Sequence, residues 1–136
     1  MYLISGLGTG ISATAFNKHG ISTTIVEIDP AVYDAARRYF GLPDPGAGRV
    51  FLEDARTWVS RREPTAALFD FVVHDCFSGG GVPEHIYTSE FWNDLSTLVE
   101  PEGTVVVVSP KFFDRLSGYV NSDRIMQASS NRNRRG

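Results

Sequence analysis

The chain contains a single cysteine, Cys76, among its 136 residues, so no internal disulfide can form and a reducing compartment fits best. No run approaches the roughly 18 apolar residues needed to span a bilayer. No charged start with a small-residue cleavage site marks a secretory signal. A cytoplasmic protein with no membrane segment in this chain is expected. Three scattered histidines and one cysteine offer no metal-ligand spacing, so no metal is expected. A G-x-x-x-x-G-K-[ST] phosphate loop and a G-x-S-x-G nucleophile elbow are also missing. Positive charge is scarce over most of the chain: residues 1–110 carry 7 basic and 14 acidic side chains, against 6 and 2 over 111–136. An acidic body repels nucleic-acid phosphates, so no nucleic-acid partner is expected, and it suits a cationic small molecule.

With 42% hydrophobic residues, the chain can bury the core of one domain. Five apolar runs read as strands: Tyr2–Ser5, Thr23–Ile28, Val50–Leu52, Phe69–Asp75 and Thr104–Ser109. Three of them are apolar almost throughout, as parallel strands covered on both faces are. Helical segments lie between them. In the clearest, Asp29 caps the first turn, Pro30 occupies the first helical position and Gly41 supplies a left-handed stop. Val32, Ala35, Ala36, Tyr39 and Phe40 share its apolar face. Thr9–His19, Ala55–Arg62 and Thr88–Val99 are the others. This alternation predicts an α/β, three-layer Rossmann-like fold with a parallel sheet in the order 3-2-1-4-5. A ligand would sit at the carboxyl ends of the first and fourth strands. The pattern reads as truncated at both ends. Residues 1–110 are expected to form the domain, followed over 111–136 by a helical remnant and a basic, disordered tail from Asn121.

Gly6-Leu7-Gly8-Thr9-Gly10 follows a strand and opens a helix. Gly6 permits a tight turn, and Gly8 lets the backbone approach a ligand. The pattern is G-x-G-x-G, which suits a compact amino-acid nucleoside better than a dinucleotide. Glu27, at the end of the second strand, is placed to accept hydrogen bonds from both ribose hydroxyls, or remains a solvated strand-end carboxylate. Asp54, before Ala55, can accept from an adenine amine, cap the next helix, or do both. Asp75 ends the fourth strand beside a triple glycine, at the switch point, and is the candidate catalytic residue. His74 points away from Asp75 and reads as packed or partly exposed, Cys76 as inert, and His85 as a loop residue of little weight.

These stretches, with Ile86-Tyr87-Thr88-Ser89-Glu90-Phe91-Trp92 and Leu98-Val99-Glu100-Pro101-Glu102-Gly103, resemble the spermidine synthase-like (polyamine aminopropyltransferase) family of the methyltransferase-type Rossmann superfamily. The likeness covers about residues 2–109 and is nearest to a divergent fungal-type branch whose longer members carry membrane segments before this domain. The resemblance implies a transferase of polyamine biosynthesis that binds decarboxylated S-adenosylmethionine, or S-adenosylmethionine itself. Its acceptor would be a small putrescine-like amine, and the family allows a homodimer. By resemblance Gly6, Gly8 and Gly10 form the cofactor turn, Glu27 holds the ribose, Asp54 and Ala55 the adenine, and Asp75 the reacting end. Where typical members read D-S-S-D-P, this chain reads Asp75-Cys76-Phe77-Ser78-Gly79, so Ser78 stands in the second acid's place. Two alternatives remain: a small-molecule methyltransferase using S-adenosylmethionine, and a non-catalytic fragment.

Overall fold

The computed structural model describes residues 1–63, 67–77, 81, 83–108 and the strand 125–128. Strands β1 (Tyr2–Ser5), β2 (Thr23–Val26), β3 (Val50–Phe51), β4 (Phe69–His74) and β5 (Val99–Val108) form a parallel sheet in the order 3-2-1-4-5. Helices α1 (Ile11–Lys18), α2 (Pro30–Tyr39), α3 (Ala55–Ser60) and α4 (Ser89–Ser96) connect them. This is the expected Rossmann-like arrangement, with β1 and β4 at the switch point.

Alternation along each strand builds a core on both faces. Leu3, Val26 and Val72 pack with Trp58, Phe91, Leu95 and Leu98 under α3 and α4. Ile4, Ile25 and Val73 pack with Ala13, Ala36 and Leu42 under α1 and α2. Each fully buried side chain of this size contributes about 1.5–3 kcal/mol of transfer free energy, which is why strands of four residues suffice. The local signals act as anticipated at α2. Asp29 accepts from the Ala31 amide at 2.8 Å, Pro30 opens the helix, and Gly41 takes φ +68° just beyond it. The predicted apolar face of α2 is shorter than expected, however. Ala36 is fully buried, whereas Tyr39 is 78% and Phe40 56% exposed.

Two elements differ from the sequence expectation. The fifth strand begins at Val99 rather than Thr104; its register with β4 jumps from Phe69↔Val99 to Phe71↔Thr104. Gly103 sits in that irregularity, where a Cβ would lie 2.6 Å from Val99 Cγ1. The second difference corrects the reading of the basic tail as wholly unstructured. Residues Ile125–Ala128 form a sixth strand, β6, parallel to β5. The physical reason lies in β5, whose outer row of N–H and C=O groups is satisfied by a neighbouring strand. The expected helical remnant at 111–118 lies outside the described residues, as do Ser78, Gly79 and Gly80. Among the described residues, no helix is long and apolar enough to cross a membrane.

Candidate functional site

The carboxyl ends of four strands converge through a continuous set of ladder bonds. The Gly6 amide donates to the Val26 carbonyl at 3.0 Å, Glu27 to Phe51 at 3.0 Å, and Asp75 to Ser5 at 2.8 Å. Above these ends lies a cleft of about 530 Å³. Its floor is the Gly6-Leu7-Gly8 turn, one wall carries Glu27 to Asp29 and Val32, and a second carries Glu53, Asp54 and Ala55. Asp75, Cys76 and Phe77 close the third side, with Pro83, His85 and Ile86 beyond them.

The glycines differ in what they do. Gly6 takes φ +86°, and a Cβ there would stand 2.2 Å from the Asp75 carbonyl oxygen. No other residue fits between β1 and β4 at that point. Gly8 takes φ +55°, and a Cβ there would meet nothing within 4 Å: it faces the open cleft. Gly10 caps α1 in a left-handed conformation with its Cβ position 3.1 Å from Leu42 Cδ1. It is outside the cleft lining and permits close packing of α1 on the loop after α2.

Glu27 is buried, and both its oxygens are held. Oε2 accepts from the Leu7 amide at 2.8 Å and Oε1 from the Asp29 amide at 2.9 Å. β2 ends at Val26, so Glu27 leaves the ladder with its carboxylate locked across the turn. Asp54 has a double engagement. Oδ1 caps α3 through the Thr57 amide at 2.9 Å, and Oδ2 lies 2.6 Å from His85 Nε2. Burial raises the Asp54 pKa, but hydrogen bonds from His85 and Thr57 outweigh it and hold the carboxyl below its ordinary value. Ala55, buried at the start of α3, lines the same wall.

Asp75 is half-buried, and among the described residues nothing donates to its carboxylate. Burial alone raises its pKa. It lines the main cleft and also a second cavity of about 180 Å³ bounded by Thr9, Ile11 and Ser12. Its neighbours behave as the sequence suggested. His74 is fully buried on the other face, among Tyr87, Phe91 and Trp92. The Cys76 thiol is pushed up to about 12, chiefly by burial, which leaves it protonated and unreactive. His85 is the residue that sequence reasoning undervalued. It reaches the cleft from a 3-10 turn at Glu84–Ile86, and no motif spacing links it to Asp54, 31 positions earlier. Among the described residues, no cluster of three His, Cys, Asp or Glu side chains is placed to hold a metal.

Comparison with known proteins bears on the family and the fold. The profile of the spermine/spermidine synthase domain matches residues 3–131. An N-terminal histidine N-methyltransferase of Emericella nidulans is 42% identical over 107 residues, which is 77% of this chain and 19% of that protein. A polyamine aminopropyltransferase of Vibrio vulnificus is 34% identical over 96% of this chain and 48% of its own length. The chain therefore spans about half of that relative or less. Among solved structures, a probable spermidine synthase from Corynebacterium glutamicum superimposes with a TM-score of 0.66 at 27% identity, covering 78% of this chain and 38% of that one.

Proposed function

This chain belongs to the spermine/spermidine synthase domain family, and on that premise we propose that residues 1–110 bind an adenosyl sulfonium and direct its alkyl group to a nitrogen nucleophile. The observation that carries this reading is the buried Glu27 carboxylate, fixed by two backbone amides beside a glycine whose missing side chain leaves open space. Each Glu27 oxygen keeps a second lone pair, and the two hydroxyls of a ribose match such an acceptor pair. Asp54 and Ala55 would take the base, and Gly8 would admit the nucleoside to the floor of the cleft. When bound, the cofactor supplies an electrophilic carbon beside a positive sulfur, with a neutral thioether as leaving group. Asp75 would hold the cationic acceptor and take the proton that must leave its nitrogen. A carboxyl raised by burial is a stronger base than an ordinary aspartate, which supports that role.

Methyl is the group this reading favours. The relative at 42% identity is by name an N-methyltransferase, and Ser78 replaces the second acid of the aminopropyltransferase pattern. The second reading is aminopropyl transfer from decarboxylated S-adenosylmethionine to a putrescine-like amine, in polyamine biosynthesis. It is favoured by the aminopropyltransferase that aligns with 96% of the chain. Calorimetry with S-adenosylmethionine and its decarboxylated form side by side, followed by product analysis with histidyl peptide and putrescine, separates them. Tighter S-adenosylmethionine binding with methylated peptide supports the first. Preference for the decarboxylated form with aminopropylated putrescine replaces it with the second. Binding of neither overturns both and leaves a non-catalytic fragment.

A further inference from the structure

The segment after β4 is tied to the first turn of α3 at three points. His85 Nε2 meets Asp54 Oδ2 at 2.6 Å, Arg56 Nη1 donates to the His85 carbonyl at 3.0 Å, and the same nitrogen donates to Thr88 Oγ1 at 2.7 Å. Asp54 and His85 both line the cleft. The backbone is thus strapped beside the wall where the nucleoside base would lie, and one of the straps is a side-chain contact to the very carboxylate that faces that base.

The chemistry of this pair is selective. With Oδ1 committed to the Thr57 amide and Oδ2 facing an imidazole N–H, Asp54 is ionised and can only accept. An ionised acceptor welcomes an exocyclic amine and repels a carbonyl oxygen in the same place. Because an ionised carboxylate only accepts, Nε2 is the donor in the hydrogen bond between them. His85 therefore sets the rotamer and protonation of Asp54 without touching the reacting atoms.

We propose that His85 is a specificity-determining residue for the nucleobase: by donating to Asp54 Oδ2 it holds that carboxylate as a fixed acceptor for the amine at position 6 of adenine. This rests on the adenosyl reading above. Arg56 has the separate task of holding the backbone, because its donors reach the His85 carbonyl and Thr88 but leave Asp54 alone.

The test is calorimetry of the full chain with S-adenosylhomocysteine and S-inosylhomocysteine, which differ in the amine and carbonyl at position 6. The wild type should prefer the adenosyl compound by about a hundredfold, the range expected when an ionised acceptor meets a carbonyl oxygen in place of an amine donor. His85→Ala should narrow that preference by about tenfold through loss of adenosyl affinity, with inosyl affinity unchanged. His85→Gln, which keeps a donor nitrogen, should restore most of it. Arg56→Ala should weaken both compounds equally and leave the ratio alone. An unchanged ratio in His85→Ala overturns this inference while leaving the adenosyl reading intact. Failure of the wild type to bind either compound overturns the adenosyl reading itself.

Discussion

Replacing His74 by leucine should abolish a pH dependence of stability that the wild type carries in mildly acidic solution. The His74 ring is fully buried, its centroid 5.0 to 5.2 Å from those of Tyr87, Phe91 and Trp92. Neither ring nitrogen has a hydrogen-bond partner among the described residues. Burial lowers its pKa from 6.5 to about 3. A base whose folded pKa is depressed is protonated more readily in the unfolded chain. Its contribution is therefore fully present above pH 6.5 and is lost as pH falls towards 3. The slope approaches about 1.4 kcal/mol per pH unit, so moving from about pH 7 to about pH 5 should remove about 2 kcal/mol. That is a large share of a typical domain's 5–15 kcal/mol, on the order of a fifth. Asp54, held below its ordinary value, is silent in this window. Asp75, raised by burial, acts in the opposite sense and cancels when the two proteins are compared. Urea unfolding at several pH values measures the difference directly. Parallel stability curves for wild type and His74→Leu between about pH 5 and pH 7 would refute the reasoning.

Other substitutions separate packing from binding. Gly6→Ala should lower stability in thermal melts by more than about 3 kcal/mol, since strain at positive φ adds to a Cβ driven against the Asp75 carbonyl. Gly8→Ala, with open space around it, should cost on the order of 1–2 kcal/mol in the same melts yet weaken S-adenosylhomocysteine binding at least about tenfold by filling the floor of the cleft. Asp75→Asn should reduce kcat roughly a hundredfold to ten-thousandfold while nucleoside affinity stays within a factor of about three. In the wild type the rate should rise with pH on a limb displaced above the ordinary aspartate range, and the asparagine variant should lack that limb. Leu95→Ala, which empties a fully buried site under α4, should cost about 2–5 kcal/mol by urea unfolding without altering Kd for the nucleoside.

Much of the frame was legible because its determinants are local. Asp29-Pro30 with Gly41 brackets α2, and the near-continuous apolar runs at β2 and β4 announce strands covered on both sides. Glu27 could be singled out by its distance from the glycine turn, although its two amide donors belong to different segments. What escaped was non-local. His85 joins Asp54 only because the 3-10 turn folds back on α3. The early start of β5 depends on Gly103 accommodating a register jump that no period reveals. β6 is short and set among polar residues, so only the waiting edge of β5 identifies it. Tyr39 and Phe40 obey helical spacing yet are exposed, because spacing alone does not say whether anything packs against a face.

The most direct test of the account is calorimetry of methylthioadenosine with the wild type and with Glu27→Ala, alongside melts showing that both chains are folded. The carboxylate is predicted to hold two ribose hydroxyls through charge-assisted bonds, so the substitution should weaken binding at least about a hundredfold. Equal affinity in two folded proteins would contradict the assignment of this cleft to an adenosyl ligand.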